Sequence, residues 1–465
     1  MIMLGVGESV VPQSFLRPDR DQRFLLAPDM REWLPEDDLV WLVLDAIEQS
    51  DLTGFRAAYR TDGQGRPAFD PALMAALLLY GYCQGVRSSR ELERRCIRDV
   101  AFRVITGGHR PDHATIARFR ARHETALETL FTEVLRLCAQ AGMVNLALLA
   151  LDGTKIGADA SWSANRTREQ LDTEIATMVK TLLADAARVD AAEDATFTDR
   201  RGDELPAELA ERSGRLARLR EARDRLAAED AARHAAQQAK LEAWQARKDT
   251  VGARRAGRRP AAEPPSNKRG TEPRANTTDP QARVVRTKNT LVVGYNAQAV
   301  VTTGQVIVGA TVFQKEVDGT LLHPTLQACR RQLSAAGVRP KLATVVADSG
   351  YVSEAAFAQA HAEKIRLLAP VSKDTRAMRD GGDPAGGRNL RNVPETARGQ
   401  RRLRHHRGRA DYRQRGRTVE PVFGQLKTRQ HMTRFSRRGI TAVTSEWHLA
   451  CAAHNLLKLH AHRQK

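Results

Sequence analysis

The stretch LALLALD, residues 146–152, is an apolar run of Leu and Ala that finishes on Asp152. A second run of the same kind, LATVVAD at 342–348, finishes on Asp348. Short continuous apolar runs bounded by turn signals read as strands buried on both faces. Each would carry a carboxylate at its C-terminal tip, the edge at which α/β sheets build their sites. A third acid, Glu420, stands in RTVEPVFGQLK (417–427), with Lys427 seven residues further on and on about the same helix face. Three carboxylates brought together would be hard oxygen ligands of the kind that hold Mg²⁺ or Mn²⁺. Two such ions can flank a phosphodiester, one activating the attacking oxygen and the other stabilising the leaving one.

Taken singly, each acid has an ordinary explanation. An aspartate at a strand end commonly forms a turn or caps a helix, and Asp348-Ser349-Gly350-Tyr351 suits a turn just as well. Glu420 alone would be a routine helix residue. The order strand-Asp, strand-Asp, helix-Glu, followed by Lys427, is what carries the reading.

The balance of charge points to a polyanion. Formal net charge is +19 and the isoelectric point about 10.3. From residue 371 onward there are 22 Lys/Arg against 7 Asp/Glu, a net +15 in the segment that holds Glu420 and Lys427. Apolar residues make up 42% of the chain, enough for a sizeable core, and aromatics only 5%, so packing rests on Leu, Val and Ala. Five scattered cysteines without CxxC or Cys/His spacing argue against a zinc module or a disulfide framework and fit a reducing cytoplasm. The opening MIMLGVGESVV lacks the pattern of a signal peptide, and PALMAALLLYGYC is too short to span a bilayer.

Around the two strands the chain divides into three parts. Residues 1–145 read as an all-helical domain. SSRELERRCIRDVAFRVITGG reads as one helix, with Ser88 or Ser89 as N-cap and Leu92, Cys96, Ile97, Val100 and Val104 on one face. Asp112-His113 leads into the basic helix ATIARFRARHETALETLFTEVLRLCAQAG, with His113 a cap or core histidine. A helix, a Gly-containing break and a basic helix fit a helix-turn-helix, in which Arg118, Arg120 and Arg122 would meet DNA; a plain bundle with a charged face is the other reading. Residues 165–285 read as a helical insertion and linker. Leu209, Arg212, Leu216, Leu219, Arg223 and Leu226 mark a thin stripe on a long charged helix, one arm of a hairpin, and 250–290 is a flexible basic linker. Residues 146–164 and 286–465 would form the catalytic domain. TLVVGYNAQAVVTTGQVIVGATVF reads as a hairpin turning at Thr303-Gly304, followed by a helix near 319–336, the Asp348 strand, a helix from Ser353, the strand IRLLAP, and a loop over 373–411. Pro421 is best tolerated in a first helical turn, so either Thr418 caps the Glu420 helix or a helix begun near Tyr412 kinks there.

These residues resemble the DDE transposases of bacterial insertion sequences, the insertion-sequence four/five-like superfamily. The resemblance is carried by DGTKIGADAS around Asp152, VGYNAQAVV (293–301), VVADSGY around Asp348, TVEPVFGQLK with Tyr412 and Lys427, and WHLACAAHNLLKL (447–459). RPAFDPALMAALLLYGYCQGVRSSRELERRC and PDHATIARFR resemble the helical domain that precedes the core in such proteins. The resemblance implies an α/β fold with an RNase H-like mixed sheet, interrupted here by the insertion. It implies that Asp152, Asp348 and Glu420 are catalytic and coordinate two Mg²⁺ (or Mn²⁺) ions, and that Lys427 holds a phosphate. Its partners would be the double-stranded DNA of the element's terminal repeats and target, a homodimer in a synaptic complex being possible, in a cytoplasmic, nucleoid-associated setting. One feature departs from the pattern. The family often shows an arginine four residues before the glutamate, where this chain has Gly416, so Tyr412 is followed by two candidates, Arg415 and Arg417. Arg401, Arg402, Arg404, Arg407 and Arg409 would contact phosphates without reading sequence. A catalytically inactive DNA-binding relic and a two-metal nuclease without strand transfer are the competing readings.

Overall fold

A computed structural model of the chain describes residues 29–59, 68–196, 207–252, 256–263, 273–287, 290–370 and 395–464. The N-terminal region is helical: α1 (Leu39–Glu48), α2 (Thr53–Arg56), α3 (Pro71–Cys83), α4 (Ser89–Arg98), α5 (Val100–Ile105), α6 (His113–Arg122) and α7 (Glu124–Gln140). Aspartates start many of these helices. The side chains of Asp38, Asp70, Asp99 and Asp112 each accept a backbone N–H from the first turn, and Pro71 occupies the position where a missing N–H costs nothing. Helix α3 buries every residue from Met74 to Cys83, as a helix apolar all round must. Among the described residues no helix is long and apolar enough to cross a membrane.

Two expected helices are each broken in two. Asp99 adopts extended backbone and caps α5, so α4 and α5 change direction at that point. Leu92, Cys96 and Val104 are buried, but Ile97 and Val100 beside the break are exposed, so the single apolar face does not form. The basic helix likewise stops at His123, between α6 and α7. His113 is neither cap nor core. It opens α6 exposed, its Nδ1 2.7 Å from Glu93.

The sheet begins with β1 (Leu148–Gly157), which corrects one expectation. The strand does not end at Asp152 but runs five residues beyond it, because an antiparallel neighbour pairs with it along its whole length. That neighbour is β5 (Leu291–Thr302), with Asp152 opposite Ala299. The other edge of β5 pairs with β6 (Ile307–Phe313) and, near its start, with β4 (Arg283–Arg286). On the far side of β1 lie β7 (Thr344–Val346) and β8 (Arg366–Leu368), both parallel to it. The order β6-β5-β1-β7-β8, three antiparallel strands followed by two parallel ones, is an RNase H-like mixed sheet. Helix α10 (Leu322–Ala335) connects β6 to β7, and α11 (Glu354–Ala362) connects β7 to β8.

Further helices complete the core: α12 (Glu395–Arg404), α13 (His406–Thr428) and α14 (Ile440–Arg463). The stretch 373–411, expected as a loop, is helical from residue 395 onward apart from the junction at His405; its earlier part lies outside the described residues. Thr418 is buried within α13 and caps nothing, and Pro421 sits inside the same helix. Helix α14 joins the two halves of the molecule. Cys83 Sγ lies 3.7 Å from Ala453 O, Asn455 bonds both backbone groups of Ile307, and the N-terminal helices share one continuous apolar core with the sheet.

The insertion is a helical hairpin, as expected. It comprises α8 (Arg168–Thr196) and α9 (Ala207–Val251), with a two-stranded ladder of β2 (Asn165–Arg166) and β3 (Ala275–Asn276) at its base. A small separate core joins Leu171, Ile175, Leu216, Leu219, Ala222, Leu226 and Ala275. The side chains of Leu209 and Arg212 lie outside the described residues. The linker expected over 250–290 carries β3 and the sheet strand β4 in its second part, so that part is ordered by pairing rather than free.

Candidate active site

Strand register brings the two aspartates level. Ala150 of β1 pairs with Val346, the last residue of β7, so Asp152, still on β1, and Asp348, just past the end of β7, each lie two residues beyond the same rung. Neighbouring strands are about 4.8 Å apart. Asp152 is largely buried, its carboxyl 16% exposed. Its Oδ1 accepts from the Gly153 N–H at 2.8 Å, and its Oδ2 accepts from Arg415 Nη2 at 2.6 Å. Burial pushes the carboxyl up to about 6. Arg415 and the Gly153 N–H pull it back, and the nearby negative charges of Asp348 and Asp318 add to the rise. Asp348 begins the turn Ser349–Tyr351, its Oδ1 accepting from the Gly350 N–H at 2.8 Å, so it is also the turn-former that its local sequence suggested.

Glu420 arrives from α13, which packs against β1. It is 64% exposed, and its Oε1 lies 3.7 Å from Arg415 Nη1. The guanidinium of Arg415 therefore bridges Asp152 and Glu420. Of the two candidate arginines this is the one that faces the acids; Arg417 is exposed, and its backbone carbonyl accepts from Gln305. Tyr412, three residues before Arg415, is half-buried. Burial raises its hydroxyl pKa, Arg415 opposes the rise, and the charges of Asp348, Asp152 and Glu420 add to it. Lys427 lies half-buried two turns along the same helix.

A polar network beneath the two aspartates escaped the reading of the sequence. Asn296 and Gln298, fully buried on β5, both donate to Asp318 Oδ1, at 2.7 and 3.0 Å, and Lys155 Nζ pairs with the same oxygen at 3.0 Å. Tyr351 donates to Gln298 Oε1, and Trp447 Nε1 donates to the Gln298 carbonyl at 3.2 Å. Gly153 leaves room for this. A Cβ there would lie 2.2 Å from Gln298 Nε2. The network ties β1, β5 and the Asp348 turn into one unit. Its signal was present in YNAQA, where two amides alternate inside an otherwise apolar strand.

The residues expected to meet DNA are dispersed. Arg118 and Arg122 are exposed on α6, Arg122 lying over the Tyr59 ring at 4.7 Å. Arg120 must be withdrawn from a base-reading role. It is 7% exposed, lies over Tyr82 at 5.9 Å, and packs inside the helical core because it falls on the same face as Ile116. Arg401, Arg402 and Arg404 are partly buried in α12 rather than displayed on a loop, whereas Arg407 and Arg409 are exposed at the start of α13.

The donor set is chemically that of a hard divalent cation, since it consists of carboxylate oxygens without His or Cys. Arg415 shows that a positive charge is accommodated between Asp152 and Glu420. Among the described residues, no three His, Cys, Asp or Glu side chains stand close enough together to share an ion. Clustered carboxylates repel one another, and the exposed Glu420 with a cationic side chain interposed is one way to hold them apart.

A mixed sheet of this order, with acids on β1, after β7 and on a later helix, places the chain in the class of RNase H-like folds. Two family models match it: residues 28–122 match a transposase domain (DUF772), and residues 270–456 match the transposase DDE domain. The chain belongs to the DDE transposases of insertion sequences. Asp348 and Glu420 lie within the second match; Asp152 precedes it, separated by the insertion, and joins the site through strand pairing. No curated protein and no solved structure matches the chain.

Proposed function

We propose that this transposase cuts DNA at the ends of its element and joins the released 3′ ends to target DNA, with Asp152, Asp348 and Glu420 as the catalytic acids. The observation that supports this most is the bridging of Asp152 and Glu420 by Arg415, level with Asp348, at one edge of the sheet. The three carboxylates would hold Mg²⁺ or Mn²⁺, two ions in all, which when bound lower the pKa of water and neutralise charge on a reacting phosphodiester. The chain's own part is positional. The Asn296–Gln298–Asp318–Tyr351 network would keep Asp152 and Asp348 level, and Arg415 would partly offset the burial that disfavours the Asp152 carboxylate. Lys427, on the helix that carries Glu420, would meet a backbone phosphate. No serine, tyrosine or cysteine nucleophile is needed in this scheme.

Incubating the purified chain with Mg²⁺, a duplex carrying the DNA that flanks its gene, and a supercoiled target plasmid tests the reading. Cleaved ends covalently joined to plasmid are expected. Cutting without joining would make it a nuclease, and binding without cutting a relic; either result overturns the proposal.

A further inference from the structure

We infer that the guanidinium of Arg415 occupies the space that a divalent cation needs between Asp152 and Glu420. The ion then enters only as Arg415 leaves, and DNA binding eases the exchange. The inference rests on the assignment of the three acids proposed above and adds a control on their loading. One carboxylate oxygen of Asp152, Oδ1, is tied to the Gly153 N–H within the strand, at 2.8 Å. The other, Oδ2, accepts from Arg415 Nη2 at 2.6 Å, and Nη1 of the same group lies 3.7 Å from Glu420 Oε1. Mg²⁺ holds its oxygens at about 2.0–2.1 Å, so two oxygens on one ion stand no more than about 4.2 Å apart. A planar guanidinium between them fills that gap, and its charge repels a dication at such range.

The contacts on either side allow the exchange. Asp152 is fixed on β1 and largely buried, whereas Glu420 is exposed and its side chain can turn. The helix beneath it is anchored, because Val419 and Val422 on either side are fully buried. The Glu420 carboxyl leans back over Gly416, where a Cβ would lie 3.7 Å from Oε1, toward the turn that bears Arg415. Arg415 itself is not fully satisfied where it stands. Its Nε is buried and makes no hydrogen bond among the described residues. A buried donor left unpaired disfavours that position relative to one in which every N–H is paired.

DNA supplies the alternative partner. A phosphate presents two anionic oxygens in the fork geometry that a guanidinium matches, as a carboxylate does. Arg413 and Arg417, exposed two residues to either side of Arg415, add charge that draws a nucleic-acid backbone to this stretch of α13. A phosphate bound there offsets the contacts that Arg415 loses, and the acids become available to the ion. By linkage, DNA then tightens cation binding by the same factor as the cation tightens DNA binding. The acids stay unloaded until substrate is present.

The test titrates Mn²⁺ into the full-length protein, with the free ion read by its paramagnetic resonance signal. Arg415→Met, which keeps the stem and removes the charge, should bind Mn²⁺ more tightly than wild type by roughly 5- to 150-fold, the usual span of coupling between two sites. Arg415→Lys, which restores a charge without the fork, should fall between the two. A duplex carrying the gene's flanking DNA, its own bound ions subtracted, should tighten Mn²⁺ binding to wild type and do so less for Arg415→Met. Equal affinity of wild type and Arg415→Met, with binding lost in Asp152→Asn, overturns the exchange alone. Wild-type affinity that the duplex leaves unchanged overturns it too, however Arg415→Met folds. If neither protein holds Mn²⁺, with or without duplex, the assignment of the acids falls with it.

Discussion

At Asp152 two demands conflict: a buried carboxylate prefers to be neutral, whereas a cation ligand must be charged. Its pKa lies near 6 rather than the ordinary 3.8, with burial as the main cause and Arg415 as the main opposing influence. Because the folded value is raised, the ionised form is the one that weakens the fold. The loss is complete above about pH 6 and disappears as pH falls toward 3.8. Asp152→Asn should therefore melt above wild type at about pH 7.5 without metal, by the equivalent of about 1–3 kcal/mol. The difference should close near pH 4. A melting series across that range checks this, and a gap that widens on acidification would show that the Arg415 pair outweighs burial.

At the scale of elements, α13 carries Glu420, Arg415, Tyr412 and Lys427 on one rod, and its start is fixed by a glycine. A Cβ on Gly408 would lie 1.9 Å from the Arg402 carbonyl, whereas one on Gly424 would meet nothing within 4 Å. Gly408→Ala should thus destabilise by about 2 kcal/mol or more by forcing α12 and α13 apart, and should slow cleavage. Gly424→Ala should be neutral or stabilise by up to about 1 kcal/mol, the helix-propensity gain. Denaturant midpoints for the pair give the test, and equal effects would contradict the packing account.

Helix α13 also marks what local sequence conveys. The apolar runs at 146–152 and 342–348 announced the two strands, and the two β-rich runs on either side of Thr303-Gly304 announced a hairpin, because buried strands are written in continuous apolar runs bounded by turn residues. The length of α13 was not legible, since Arg-rich stretches look alike in loops and on helices and Pro421 argued for a later start. Nor could spacing show that Arg415 rather than Arg417 turns toward Asp152; that depends on how α13 docks against β1. Asp318 was missed for a related reason: it lies in an irregular segment, and its partners on β5 and β1 come from distant parts of the chain. The break at Asp99 was open to reading as a cap, but the apolar residues on both sides of it favoured continuity.

Over the whole molecule, the N-terminal helices and the catalytic sheet are joined by α14 rather than strung as separate units. Arg87, after α3, reaches Glu446 at 2.9 Å, a fully buried carboxylate, and also donates to the carbonyls of His431 and Arg434. The same Glu446 accepts from the Ser436 N–H and hydroxyl. Removing one member of such a buried pair leaves the other uncompensated. Arg87→Ala should therefore cost about 3–5 kcal/mol, and one cooperative transition should report both halves unfolding together. Two separated transitions in calorimetry, with only the earlier one shifted, would contradict a shared core.

The chemistry is tested most directly by Mg²⁺-dependent cleavage of a duplex carrying the gene's flanking DNA, measured for wild type, Asp152→Asn, Asp348→Asn and Glu420→Gln beside their DNA affinity. Amides keep the shape of each side chain and remove the charge that holds divalent cations. The expected result is DNA binding close to wild type, with cleavage reduced at least about 100-fold in each variant. Near wild-type cleavage by any one of the three would remove that residue from the site and contradict the account.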